Sequence, residues 1–213
     1  MCYAPEKELG SWLFRNTANI VTFVGMLTGI SATVILWLSP ENIWPIVILF
    51  AITALSDKID GTIARELGIV SAAGKALDRM RDKLFHCSML LVLAWRYLEQ
   101  QGLESPSALI AAILVIMVIA LEILLTCSLV YGIVKNKEVG AGNAGKIKVI
   151  LEYCLIGIWL VSLLAESQWN APVLTLSIWL VNLLLFLTTC FAFGSLARYY
   201  RLHFGNGNST NSR

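Results

Sequence analysis

Charge is scarce in this chain, and that scarcity excludes most soluble folds. Only 14% of the 213 residues are Asp, Glu, Lys or Arg, 57% are hydrophobic, and the mean hydropathy is +0.73. Ordinary soluble domains carry about 25% charged residues. No polar stretch remains for a separate soluble domain, so any site must be built from apolar helices and their short connections. The five cysteines, Cys2, Cys87, Cys127, Cys154 and Cys190, have no paired spacing. Four lie in or beside apolar stretches, where a free Cys acts as a small hydrophobe. The N-terminus lacks a basic segment leading straight into a cleavable apolar core, so the first span is expected to be retained. No repeat of fixed period is present.

What the chain does have is length in its apolar runs. Stretches able to cross about 30 Å of hydrocarbon fall at 19–38, 43–66, 79–98, 107–132, 147–165 and 172–197. The expected fold is therefore an all-α integral membrane protein of six transmembrane helices. A short interfacial helix from Pro5 to Arg15, with Trp12, Leu13 and Phe14 at headgroup level, is expected to precede them. Residues 1–204 would form one membrane domain and 205–213 a disordered polar tail.

The formal net charge of +2 says little, but its distribution says more. Lys7 and Arg15 precede the first span. Arg65, Lys75, Arg79, Arg81 and Lys83 surround the second connection. Lys135, Lys137, Lys146 and Lys148 occupy the fourth, and Arg198, Arg201 and Arg213 follow the sixth span. The remaining connections have only Arg96 between them. The positive-inside rule then puts both termini and the even-numbered connections in the cytoplasm. The outer connections, Ser39 to Asn42, Gln100 to Pro106 and Glu166 to Pro172, read as short.

Four aspartates stand together in the apolar setting. Between Asp57 and Asp82 the chain reads DxxDGxxAR, eight residues, then GxxxDxxxD. Helical rotation places Asp57, Asp60, Gly61 and Ala64 on one stripe, and Asp78 and Asp82 share a stripe on the next helix. A cytoplasmic hairpin of about 13 residues containing Gly68 and Gly74 is expected to let the stripes face each other. One uncompensated carboxylate in hydrocarbon is costly and four repel, so cations are expected among them. Carboxylate oxygens suit Mg²⁺, Mn²⁺ or Ca²⁺, and a pair of such ions commonly clamps a diphosphate. Taken singly, the parts fit a proton relay or helix packing equally well.

The complete pattern, Asp57, Asp60, Gly61, Ala64, Arg65, Gly74, Asp78 and Asp82, resembles the signature of the CDP-alcohol phosphotransferase family. The layout is similar too, with an N-terminal interfacial helix and six spans. The resemblance implies transfer of a substituted phosphate from a CDP-linked donor to an alcohol, releasing CMP. By position, Asp57, Asp60, Asp78 and Asp82 would bind two divalent cations, Mg²⁺ or Mn²⁺, and Asp82 would also act as general base. Gly61, Ala64, Arg65 and Gly74 would form the CDP site. Asn19 and Thr22 resemble family residues beside the nucleotide, although helix–helix hydrogen bonding explains them equally well. Lys58, Arg79 and Arg81 are read as balancing the aspartates or meeting lipid headgroups. His86 reads as hydrogen-bonded structure, and Glu122 needs a partner that Lys146 or Lys148 could supply.

Gly145-Lys146-Ile147-Lys148 resembles the Gly-Lys-x-Lys segment of phosphatidylglycerophosphate synthases. Lys146 and Lys148, closed by Arg198 and Arg201, would take an acceptor phosphate; topology markers are the alternative. The chain departs from those synthases in three places. Phe23-Val24-Gly25 follows Thr22 where an arginine is usual, Ile123 to Val134 contains no arginine, and Val149 replaces a common threonine. The expected reaction is transfer of a phosphatidyl group from CDP-diacylglycerol to glycerol 3-phosphate, with inositol phosphate, inositol, serine or another alcohol as alternative acceptors. A CDP-linked lipid, a small polar alcohol, membrane lipid and a second copy in a homodimer are the expected partners, with no nucleic acid. A cation-coupled transporter is the competing reading; it calls for acidic groups on several helices near the midplane. A lipid-binding relative without activity calls for a damaged motif, and this one is intact.

Overall fold

The structure, a computed structural model, describes residues 5–66, 72–134, 143–169 and 173–204. Among them are six helices and no strand: α1 (Pro5–Leu38), α2 (Ile43–Glu66), α3 (Ala72–Gln101), α4 (Pro106–Val134), α5 (Asn143–Trp169) and α6 (Val173–Phe204). Four contain stretches long and apolar enough to cross a membrane: Ile20–Leu38, Pro106–Ser128, Gly145–Trp169 and Ser177–Arg201. The charges of the aspartate motif lie on the other two, α2 and α3.

Two expectations are corrected. The segment from Pro5 to Arg15 is not a separate interfacial helix but the beginning of α1, which runs unbroken for 34 residues. No proline interrupts it after Pro5, and at 1.5 Å per residue it is about 51 Å long. The hairpin of about 13 residues also shortens, because α3 already begins at Ala72 and places Gly74 inside a helix. Ala72, Ala73, Lys75, Ala76 and Leu77 are good helix formers that outweigh one glycine's cost of about 1 kcal/mol. Only residues 67–71 separate α2 from α3, and these, with 135–142, 170–172 and the 205–213 tail, lie outside the described residues. Lys146 and Lys148 lie in the first turns of α5, at the helix entrance where the sequence puts them.

Local chemistry sets the ends that join α1 to α2 and α3 to α4. Ser39 to Asn42 joins α1 to α2, with the Asn42 amide donating to the Ser39 carbonyl at 3.0 Å. Pro45 lies in the first turn of α2, where no helical hydrogen bond is lost. Gly102 ends α3 at φ 74°, a left-handed conformation suited to glycine, and its amide donates to the Leu98 carbonyl at 2.9 Å. Ser105 then precedes Pro106 at the first position of α4.

The chain divides into two compact units, Met1–Leu93 with Leu160–Leu174, and Ala94–Trp159 with Thr175–Arg213. In the first, α1 presents small residues to α2 and α3. A Cβ on Gly25 would lie 2.2 Å from Ser56 Oγ and 3.2 Å from Ser56 Cβ; one on Gly29 would lie 2.8 Å from the Phe85 ring. Thr28 and Thr53 share a hydroxyl hydrogen bond of 3.0 Å. In the second unit, Tyr97 meets Trp159 edge-on at 6.2 Å and its hydroxyl reaches Ser107 Oγ at 3.1 Å. Asn182 of α6 donates to the Ser107 carbonyl at 3.2 Å.

Several hydroxyls bond back to their own helix. Thr33 donates to Gly29 O at 3.0 Å, Thr53 to Leu49 O at 2.8 Å, and Thr188 and Thr189 to Leu184 O and Leu185 O at 2.8 Å each. Outward positions of both units carry large apolar side chains, among them Ile116, Ile150, Trp179 and Phe193. Exposed apolar surface on this scale is what a lipid-facing protein presents.

The two kinds of helical glycine give opposite expectations. Gly25→Ala forces a methyl against Ser56, whose hydroxyl is held by Thr53 O at 2.8 Å, and is expected to cost about 1–3 kcal/mol. Gly194→Ala on α6 meets nothing within 4 Å and is expected to gain about 0.5–1 kcal/mol from helix propensity. Thermal unfolding of the two variants side by side in one lipid environment checks the signs.

Candidate active site

Asp57 and Asp82 come from different helices and converge on one cation. Arg81, one residue before Asp82 on α3, is only 1% exposed. Its Nη2 donates to Asp57 Oδ1 on α2. Nη2 and Nε donate to Asp82 Oδ1 at 3.0 Å and 3.3 Å. The two carboxylates are partly accessible, 25% and 21%, so they form the open side of a buried guanidinium.

The environment of Arg81 is made by α1 and α2. Gly25 brings no side chain, and Arg81 Nη1 lies 3.4 Å from where its Cβ would be, with Ser56 alongside. One turn earlier on α1 is Thr22, buried. This is the stretch in which the sequence lacks the arginine expected after Thr22; here α3 delivers a guanidinium beside Gly25. Sequence reading gave Arg81 the task of balancing the aspartates, and the structure agrees. Lys58 is exposed instead, and His86 is buried with its ring 5.3 Å from that of Phe85.

Asp60, Gly61, Ala64 and Arg65 lie in α2, Gly74 and Asp78 in α3, and Asn19 in α1, but their side-chain positions fall outside the described residues. Among the described residues no three His, Cys, Asp or Glu side chains form a metal-ligand set. What is described suits a hard divalent cation: two carboxylates from two helices, all-oxygen donors, already gathered around a positive charge.

A second charged cluster lies in the other unit. Lys148 on α5 donates to Glu122 Oε1 on α4 and lies 3.6 Å from Glu152 Oε1, and all three are buried. Lys148, not Lys146, is thus the partner that Glu122 needs, and Lys146 is exposed. Glu152 was missed by the sequence reading, although its i, i+4 spacing from Lys148 was a usable signal. Arg198 and Arg201 are exposed on α6. The start of α5 lies beside that helix: a Cβ on Gly145 would be 4.0 Å from Ser195 Oγ.

A family model described as CDP-alcohol phosphatidyltransferase matches residues 15–199. That match covers α1 from its eleventh residue through nearly all of α6, and with it both helices whose aspartates close on Arg81. It makes the protein a transferase of phospholipid synthesis, using a CDP-alcohol donor and an alcohol acceptor, in a family generally dependent on divalent metal. With four of its helices apolar enough to cross a bilayer and its aspartates paired across α2 and α3, the chain belongs to the CDP-alcohol phosphatidyltransferase family.

Proposed function

We propose that this enzyme transfers the phosphatidyl group of CDP-diacylglycerol to the hydroxyl of glycerol 3-phosphate, giving phosphatidylglycerophosphate and CMP. The observation that carries the reading is the meeting of Asp57 and Asp82 across α2 and α3 within the family's pattern. Asp57, Asp60, Asp78 and Asp82 hold two divalent cations, Mg²⁺ or Mn²⁺. When bound, these offset the diphosphate charge and stabilise the charge that develops in transfer. Gly61, Ala64, Arg65 and Gly74, with Asn19 and Thr22, receive the CDP moiety. Asp82 takes the proton of the attacking hydroxyl.

For the acceptor, Lys146, Arg198 and Arg201 supply exposed positive charge in the second unit. Lys148 joins them only by giving up part of its hold on Glu122 and Glu152. The charge distribution of the sequence supports six spans, α2 and α3 included, with both termini and the site on the cytoplasmic face. A homodimer follows by family analogy alone.

The test is CMP release by purified protein in CDP-diacylglycerol with Mg²⁺ or Mn²⁺, comparing glycerol 3-phosphate, inositol phosphate, inositol, serine and no acceptor. Release that depends on glycerol 3-phosphate and stops in EDTA is expected. Release with a different acceptor reassigns the substrate, and release indifferent to EDTA removes the metal reading.

A further inference from the structure

A buried arginine between Asp57 and Asp82 is an unusual neighbour for a divalent cation. The Arg81 guanidinium keeps its proton at every accessible pH, so its charge is a permanent feature of the site. It is 1% exposed, and hydrogen bonds from it reach Oδ1 of both Asp57 and Asp82. Removing its charge would bring the Asp57 and Asp82 carboxylates closer to mutual repulsion, a cost that grows in an apolar fold. With both it and divalent ions present, like charges crowd one set of oxygens.

We propose that Arg81 is a positioning residue. It is a built-in countercation that holds Asp57 and Asp82 together before divalent ions bind and yields their oxygens to those ions. The inference rests on the reading of these aspartates as metal ligands and adds an exchange step to it. On its other side the guanidinium packs close to α1, with Nη1 3.4 Å from where a Cβ of Gly25 would be, so Arg81 is held in place by the helix packing as well as by the two carboxylates. Metal affinity is therefore set by competition with Arg81, and the fold does not depend on metal to hold its two carboxylates together.

The experiment titrates Mn²⁺ into full-length, detergent-solubilised protein, following free Mn²⁺ by electron paramagnetic resonance, for wild type, Arg81→Gln and Arg81→Lys. Arg81→Gln is expected to bind Mn²⁺ about tenfold more tightly or better, since a cation is removed from beside the ligands, and Arg81→Lys to stay within about threefold of wild type. Thermal unfolding supplies a second readout: Arg81→Gln should be less stable than wild type in EDTA, with the gap closing in saturating Mn²⁺. Equal Mn²⁺ affinity of wild type and Arg81→Gln, or a stability gap that Mn²⁺ leaves untouched, overturns the proposal. If Arg81→Gln folds under neither condition, Arg81→Lys decides, and a tenfold change in its affinity overturns the proposal as well. Wild-type protein that binds no Mn²⁺ removes the metal reading itself and the exchange with it. Wild-type binding lost in Asp57→Asn but unchanged in Arg81→Gln removes the exchange alone.

Discussion

Asp82→Asn is expected to lower CMP release by about 10²–10⁴-fold, the range that a positioned general base contributes, while the protein stays folded and retains much of its affinity for the CDP-linked lipid. The side chain is 21% exposed, so the amide is not forced into a dry site. Its oxygen still accepts from Arg81 Nε and Nη2, the bonds that now run at 3.3 Å and 3.0 Å, and Asp57 still carries the charge that Arg81 needs. What the amide loses is basicity and one unit of negative charge. Measuring turnover and donor binding separately distinguishes the outcomes. A fall in turnover with donor binding largely kept supports Asp82 as the base, whereas near-normal turnover removes it from that role.

The second large effect is expected at the other charged cluster. Lys148→Met leaves Glu122 and Glu152 buried at 4% and 2% exposure without the cation between them, and a loss of about 3–5 kcal/mol is the usual result of breaking a buried pair from one side. Thermal unfolding in nanodiscs reads this loss. Adding Glu122→Gln to the same protein should recover a good part of it, because one of the two stranded charges is gone. A double variant no more stable than Lys148→Met would mean that packing of the lysine stem, not charge, carries the effect. Lys148→Arg keeps the charge and separates structure from acceptor binding. A raised KM for glycerol 3-phosphate with unchanged stability would tie Lys148 to the acceptor, and an unchanged KM would leave that task to Lys146, Arg198 and Arg201.

The helices were legible where hydrophobicity and chain reversal coincide. Ser39-Pro40-Glu41-Asn42 separates α1 from α2 as the sequence predicts, since proline and short polar residues stop an apolar helix abruptly. Legibility fails where a helix continues beyond its apolar part. An apolar run reports where hydrocarbon fits, whereas a helix requires only acceptable propensity and satisfied backbone, and so α1 starts at Pro5 and α3 at Ala72. In the site, the aspartates were found because their charge is anomalous in an apolar chain. Arg81 reads as a counter-charge, but its complete burial does not, because that depends on the close approach of α1, where a Cβ on Gly25 would lie 3.4 Å from Arg81 Nη1. Lys148 reads from the sequence both as a phosphate receptor and as one of two candidate partners for Glu122; the structure selects it over Lys146 and adds Glu152, whose i, i+4 spacing was the signal passed over.

The threonines that bond to their own helix have a consequence for how the protein is made. Thr33 in α1, and Thr188 and Thr189 in α6, carry their acceptors with them, so each segment can leave the insertion machinery and enter lipid with its hydroxyls already matched. Asp57 on α2 instead pairs with a cation on α3, which is synthesised later. On the six-span reading, the threonines of α1 are matched as soon as the helix emerges, whereas the Asp57–Arg81 pair forms only once α3 has followed α2.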